Sequence, residues 1–536
     1  MNTATLSAGA HAPNPPPRPA VVSAAPPPLA GAKLAIGTVA LSLATFMNVL
    51  DTSIANVSLP AIAGDLGVSP NQGTWVITSF AVANAIAVPL TGWLTQRFGP
   101  VRLFLTSIVL FSIASFLCGI APSMGILIAF RVVQGAVAGP MIPLSQTLLL
   151  ASYPRERAGM ALAMWSMTTL VAPVTGPLLG GWITDNVAWS WIFYINVPVG
   201  AVAAWVTWRI YRSREAPTRK LPIDALGLIL LVLWVGALQI MLDKGKELDW
   251  FHSPEVVTLA VVAVVGFAFF LVWELTDAHP IVDLRLFARR NFWTGALAMS
   301  LSYGAFFGSV VLLPLWLQQY MGYTATQAGM ALAPVGILAL VLAPLVGKQI
   351  QRVDPRWFAT CSLALFAVVM FMRSRFNTQA DLVTILIPTV IQGAAVATFF
   401  IPLLTVVLSG LGPERIPAAS GLTNFTRITA GAFGTSIATT LWENRASLHH
   451  AQLIEHINPY DSATRHALQA LQAGPGGLSP EQALARIEGM VNQQAFTLAV
   501  NDIFFASSLL FIVLIGLVWL ARPGKRQAKI DSGAAH

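Results

Sequence analysis

Charge is scarce in this sequence. Only 10% of its 536 residues are Asp, Glu, Lys or Arg and 55% are hydrophobic, whereas about a quarter of an ordinary soluble domain is charged. That deficit excludes a soluble globular protein. Cysteine is scarcer still: Cys118 and Cys361 are the two present. Both fall within apolar stretches and read as small core residues, not as a disulfide, metal or nucleophile site. None of the eight histidines lies inside an apolar stretch. No Gly-x-x-x-x-Gly-Lys-Ser/Thr phosphate loop occurs, so nothing in the chain offers nucleotide as an energy source. Residues 1–32 are rich in Pro and Ala but have no basic region leading an apolar core, and so do not read as a signal peptide. They read as a disordered cytoplasmic tail, with polyproline docking as the alternative.

Long apolar runs are what the sequence has in abundance. A membrane span needs about 20 apolar residues to cross roughly 30 Å of hydrocarbon. Fourteen runs qualify as candidates, the first near Leu34 and the last near Thr497. The fold class expected is an all-α polytopic membrane protein with 14 transmembrane helices. The net charge of +8 does not indicate nucleic acid, because most Lys and Arg fall in alternate loops. That is the positive-inside pattern, with both termini cytoplasmic. Arg131 and Arg427 are the cations placed within helices.

The first six helices and the last six echo one another. Gly92 to Arg102 has a counterpart in Gly347 to Arg356, Gln134-Gly135 in Gln392-Gly393, and Pro154-Arg155-Glu156-Arg157 in Pro413-Glu414-Arg415. Their shared order indicates an internal duplication, and hence two six-helix bundles facing a central cavity. The expected organisation is a tail over 1–32, a first bundle over 33–212, a basic linker with two inserted helices over 213–291, a second bundle over 292–522, and a tail over 523–536. The inserted pair, mostly Leu, Val, Ala and Ile, reads as peripheral and lipid-facing. Within the second bundle, residues 445–496 form a long external segment. There Ser479-Pro480-Glu481 signals a helix start, and Leu484, Ile487, Met490 and Val491 recur at helical spacing. It reads either as a surface hairpin or as a docking surface. Its histidines, His449, His450, His456 and His466, are too irregularly spaced for a metal site and read as solvated.

Moving a solute uphill without nucleotide requires an ion gradient, and a proton carrier must be titratable and buried. Most carboxylates, including Asp185, Glu274, Asp381, Glu443 and Asp502, lie in loops or near helix ends. Asp51 alone sits well inside an apolar run, beside Phe46, Met47, Val49 and Leu50. Burial disfavours the charged form of a carboxylate, and a nearby cation or water favours it again. A carboxylate alternately dry and wet therefore loads and releases protons. Its alternative is a static buried hydrogen bond. Arg131, at membrane depth where an arginine costs roughly 3 kcal/mol, either balances Asp51 or ties its helix to backbone carbonyls. Asn48, Gln134, Asn424 and Arg427 are the polar candidates for a substrate cavity.

The stretch Arg131-Val132-Val133-Gln134-Gly135 resembles the fourth-helix motif of the major facilitator superfamily. Ala172 to Gly181, with Gly176, Pro177, Gly180 and Gly181, resembles the fifth-helix motif of its drug:proton antiporters. Gly92-Trp93-Leu94-Thr95-Gln96-Arg97-Phe98-Gly99-Pro100-Val101-Arg102 is similar to its loop between helices 2 and 3. Leu50 to Pro60 and Trp191 to Pro198 look like the 14-helix EmrB/QacA-like branch, most like EmrB-type multidrug exporters. The resemblance implies coupling between Asp51 and Arg131; the glycines allow close helix packing, and Gly176-Pro177, lacking a hydrogen-bond donor, should bend its helix. The resemblance also implies a cytoplasmic latch at Gly92, Arg97, Gly99 and Arg102. Gln96 stands where the superfamily usually has aspartate, which puts the charge relay of that latch in doubt.

The function expected is therefore proton-coupled export of small amphiphilic toxic compounds across a bacterial inner membrane, without a cofactor or metal. The resemblance adds a periplasmic membrane-fusion adaptor and an outer-membrane channel as partners. The alternative is an exporter of one physiological solute, such as a fatty acid, siderophore or metabolite, on the same scaffold. A membrane-bound enzyme would need clustered catalytic groups, and the sequence clusters none.

Overall fold

The computed structural model describes residues 27–522 apart from 219–221, 351, 456, 459–460 and 474–477. The terminal tails of the expected organisation thus lie almost wholly outside the described residues. The elements are helical throughout, with no strand among the described residues. In chain order the long helices are α1 (Gly31–Asp65), α2 (Trp75–Ala87), α3 (Thr91–Phe98), α4 (Pro100–Gly119), α5 (Met124–Ala138), α6 (Met141–Ser152), α7 (Ala158–Asn186) and α8 (Asn196–Tyr211). There follow α9 (Ala225–Lys244), α10 (Pro254–Thr276), α11 (Arg290–Gln319), α12 (Ala325–Gln349), α13 (Pro355–Arg373), α14 (Leu382–Ala397), α15 (Phe400–Leu408), α16 (Ile416–Ile454), α17 (Ser462–Ala473) and α18 (Pro480–Trp519). Among the described residues, eleven helices are long and apolar enough to cross a membrane, or twelve if the bent pair α2 and α3 is one span.

Local sequence explains where helices start and break. Gly99 adopts φ 87°, a left-handed conformation that glycine tolerates, and Pro100 then opens α4 at a position needing no N–H donor. Pro89 lies in the 62° bend between α2 and α3, and Gly139-Pro140 separates α5 from α6. A proline removes a backbone donor, so the ladder fails at these points. Gly176-Pro177 behaves differently: α7 stays helical from Ala158 to Asn186.

The echoed motifs share local geometry. A side chain at Gly135 on α5 would collide with the Phe80 carbonyl of α2. One at Gly393 on α14 would lie 2.8 Å from the Val335 carbonyl of α12. The two Gln-Gly pairs thus do the same job, letting one helix reach the backbone of another. The repeated Pro-Arg-Glu-Arg and Pro-Glu-Arg segments each form a 3₁₀ turn leading directly into a long helix, α7 and α16. Between the repeats, backbones close at one end of the bundle: a side chain at Gly92 would meet Ala418 Cβ at 2.6 Å, and one at Gly347 would meet the Gly159 carbonyl at 2.7 Å.

One expectation needs correction. The inserted helices are not both peripheral. α10 exposes Val261, Val264, Phe269 and Val272, but α9 is wedged between the repeats. Asp243 accepts a hydrogen bond from Thr78 of α2 and Lys244 donates to Thr74. On the other side Ser436 of α16 donates to the Leu242 carbonyl, and Lys246 pairs with Glu443 at 2.7 Å. Polar residues clustered at one end of an otherwise apolar helix were its signal. Residues 445–496, where the sequence signals a helix start at Ser479-Pro480, are mostly helix among the described residues. α16 continues to Ile454, α17 crosses the tip, and α18 starts at Pro480 under a capping box of Ser479 and Gln482. His449 and His450 pair with Asp502 and Glu488 at 2.9 and 3.4 Å, while His466 is exposed and His456 lies outside the described residues.

Candidate functional site: a buried carboxylate network

Asp51 and Arg131 have no solvent exposure and form an ion pair at 2.5 Å. Asp51 comes from the middle of α1 and Arg131 from α5, so each charge is at membrane depth and each supplies what makes the other tolerable there. The carboxylate is held by more than the arginine. Its Oδ1 accepts from Gln134 Nε2 at 3.0 Å and from Asn196 Nδ2 at 2.9 Å. Three donors from two further helices therefore converge on one carboxylate.

The guanidinium is held just as firmly. Arg131 Nε donates to the Val76 carbonyl of α2 at 2.9 Å, and Nη1 also reaches Gln134 Oε1 at 2.7 Å. Phe80 lies under the guanidinium at 4.3 Å and Phe193 at 5.6 Å. The two roles weighed for Arg131, balancing Asp51 and tying helices through a carbonyl, are thus filled by one side chain. Its Nη2 is buried and meets no acceptor among the described residues. A second layer orients the ligands: Asn196 donates to Ser115, which donates to the Phe193 carbonyl, and the Cys118 thiol donates to Gln134 Oε1 at 3.6 Å.

The structure groups the predicted residues differently from the sequence. Gln134 belongs with Asp51 and Arg131. Asn48 is also buried, but donates to the Ala138 carbonyl of α6's neighbour α5 at 3.2 Å. Asn424 and Arg427 pair with each other on α16, Arg427 Nη2 to Asn424 Oδ1 at 2.8 Å. Gly176 and Gly180 face α1: side chains there would strike Ser53 and, at 2.7 Å, Ile54. Gly181 is half-buried on the same turn. Around the latch, Glu215 supplies a carboxylate absent from position 96. It accepts from the Val101 and Arg102 backbone N–H groups at 3.1 and 2.8 Å, capping α4, while Arg97 lies over Trp93 at 5.4 Å.

The Major Facilitator Superfamily profile matches residues 41–435. The chain belongs to the major facilitator superfamily. It is 54% identical to the multidrug export protein EmrB of Escherichia coli K12, over 92% of this chain and 97% of that one. It is 51% identical to the fatty acid resistance protein FarB of Neisseria gonorrhoeae, over 93% and 98%. In fold it matches the solved structure of the human organic anion transporter MFSD10 with a TM-score of 0.60 at 14% identity, covering 90% of this chain and 99% of that one. Superfamily membership makes the protein a multi-pass membrane transporter.

Several residues in the network were not singled out from sequence. Asn196 carries no signal beyond its place inside the Trp191–Pro198 motif, and Ser115 and Cys118 look like ordinary small residues of an apolar helix. Arg373 ends the apolar run of α13 and reads as a cation at a membrane edge. In the structure it is fully buried, donating to Gln392 Oε1 at 2.7 Å. Glu274 is likewise fully buried near the end of α10, accepting from Val282 N at 3.1 Å. Asp51 is therefore not the sole buried carboxylate, although it is the one in the middle of a span and paired with a buried cation.

Proposed function

We propose that this protein is a proton-coupled antiporter that exports amphiphilic drugs or toxic compounds across the bacterial inner membrane. The observation carrying this reading is the buried Asp51–Arg131 pair in a superfamily transporter similar to named multidrug export proteins. A proton reaching Asp51 would cancel the charge that Arg131 answers, and the helices that the pair ties together, α1, α2 and α5, would lose that tie. Protonation and helix rearrangement are thereby linked in one contact. A facilitative importer fits less well, because the glycine face of α7 against α1 resembles antiporters.

The energy is adequate. One proton entering across about 100 mV gains roughly 2.3 kcal/mol and one pH unit adds about 1.4, enough for a gradient of several hundredfold in a neutral solute. For a monovalent cation exchanged one for one, the electrical contributions cancel and the pH difference alone drives export. In inside-out vesicles a protonophore should abolish uptake of amphiphilic compounds. Uptake persisting on ATP with both gradients collapsed would refute the reading. A second reading, export of one physiological solute, is favoured by the likeness to a fatty acid resistance protein. Resistance of a pump-deficient host to a varied panel separates them: broad protection supports the first, and protection against one compound the second.

In this reading there are fourteen spans, α7 and α16 joining the twelve, with two six-helix bundles flanking the inserted pair and both termini cytoplasmic. The close backbone contacts at Gly92 and Gly347 then shut the cytoplasmic side. α16 and α18 have 39 and 40 residues, and at 1.5 Å per residue each is about 60 Å long, roughly twice the hydrocarbon thickness. They would project well into the periplasm as a stiff hairpin carrying exposed Leu448, Ile454, Leu484 and Met490. That is a surface suited to a membrane-fusion adaptor leading to an outer-membrane channel. Replacing residues 456–478 by a short Gly/Ser linker should leave vesicle transport within about twofold of the parent while abolishing resistance in cells. Unchanged resistance would count against adaptor docking.

A further inference from the structure

The buried charges of the molecule do not balance. Asp51 answers Arg131, but Arg373 and Arg427 are each at least nine-tenths buried and, among the described residues, neither has a carboxylate within ion-pair distance. Arg373 is absorbed within the second repeat by Gln392 and Thr389. Arg427 stands on the seam between the repeats. Its guanidinium carbon lies 4.8 Å from the ring centre of Tyr303 on α11, 5.6 Å from Phe400 on α15 and 6.0 Å from Trp165 on α7. Trp165 comes from the first repeat and the others from the second, and Trp165 meets Phe400 edge-on at 6.4 Å.

Within this aromatic enclosure the polar groups are mostly unmatched. Arg427 reaches Asn424, but its Nε finds no acceptor among the described residues. Ser420, Thr423, Asn424 and Arg427 follow one another at i, i+3, i+4 and i+7, and so share a face of α16. The hydroxyls of Ser420 and Thr423 and the indole N–H of Trp165 are likewise buried without a partner among the described residues. Every one of these groups can donate a hydrogen bond, and one carries a full positive charge. A buried cation with surplus donors, walled by aromatic faces, complements a ligand with an anionic head and an apolar body.

We propose that this cluster is the head-group subsite of the transport cavity and takes the carboxylate of an amphiphilic organic anion. Arg427 selects the charge, Asn424 holds the guanidinium until the anion displaces it, and Trp165, Tyr303 and Phe400 contact the apolar chain. Because the enclosure draws on both repeats, a ligand here touches both sides of the seam that must part during transport. The assignment rests on the export function proposed above and adds the sign of the substrate's charge.

The test is head-group selectivity on the intact chain in nanodiscs, read by scintillation proximity with radiolabelled dodecanoate at pH 7.5. Dodecanol and dodecyltrimethylammonium serve as competitors, sharing the chain and differing in the head. The parent should bind dodecanoate at least tenfold more tightly than dodecanol. Arg427→Gln should erase that preference while leaving dodecanol binding in place, and Arg427→Lys should restore part of it. A parent with no preference for the anion, or an Arg427→Gln variant that keeps the preference, would overturn the subsite. If Arg427→Gln does not fold, the parent's head-group series and the Lys variant decide the matter. Protonophore-sensitive export by the parent is scored separately over cationic, neutral and anionic amphiphiles: its absence for all of them sinks the export function, whereas its presence without head-group preference sinks the subsite alone.

Discussion

Asp51→Asn should yield a transporter that reaches the membrane and binds substrate but accumulates none. The amide cannot take up a proton, so downhill proton entry no longer drives uphill solute movement. Collapse of a several-hundredfold gradient to unity is the expected scale, since the whole of roughly 3.7 kcal/mol per proton is forfeited. The geometry adds a cost that elimination along the sequence does not reveal. The native carboxylate accepts from Arg131, Gln134 and Asn196, and an amide offers one acceptor oxygen in place of two. Arg131 is then left buried without its counter-charge, and breaking a buried pair from one side costs about 3–5 kcal/mol. Thermal stability should therefore fall together with coupling. Asp51→Glu keeps the titrating group in a displaced position and should retain partial transport with a shifted pH optimum. Vesicle accumulation assays across pH, with melting curves of the purified variants, check both parts.

The second large effect concerns the face of α7. Gly180 lies so close to α1 that even a Cβ would come within 2.7 Å of Ile54 Cγ1 and 3.0 Å of its carbonyl oxygen. Leucine there must push α1 and α7 apart, and overpacking of this kind typically costs about 1–3 kcal/mol. Ile54 is one helical turn from Asp51, so the displaced segment of α1 is the one that carries the carboxylate. Gly180→Leu should lower exchange at least tenfold with expression retained, and Gly180→Ala should lie between that variant and the parent. Normal exchange by the leucine variant would mean that close packing on this face has no part in transport.

How much of this was legible in sequence depended on contrast. Asp51 and Arg131 stand out because charge in the middle of an apolar run is costly, and the structure places them in contact. Gly92, Gly176 and Gly180 stood out as glycines in otherwise bulky helices, and each marks a close backbone approach. Arg373 lacked that contrast. It ends its apolar run, where a cation ordinarily reaches water, and only the packing of α13 against α14 and α18 buries it. Asn196, Ser115 and Cys118 are small residues whose roles depend on which helices meet. The wedge formed by α9 was hidden for the same reason: Leu, Val and Ala face lipid and protein interior equally well, and only Asp243 and Lys244 at its end revealed the contact. The start of α18 at Ser479-Pro480 was legible, because an N-cap serine followed by proline in the first turn is a purely local signal.

The measurement that bears most directly on the coupling role of Asp51 is substrate-induced proton release from the solubilised protein. Substrate is added to a weakly buffered, detergent-solubilised sample and the pH of the medium is followed. The parent should release protons as substrate binds, and Asp51→Asn should release none while still binding. If Asp51→Asn releases protons as the parent does, Asp51 is not the carrier and the buried Asp51–Arg131 pair is a structural tie.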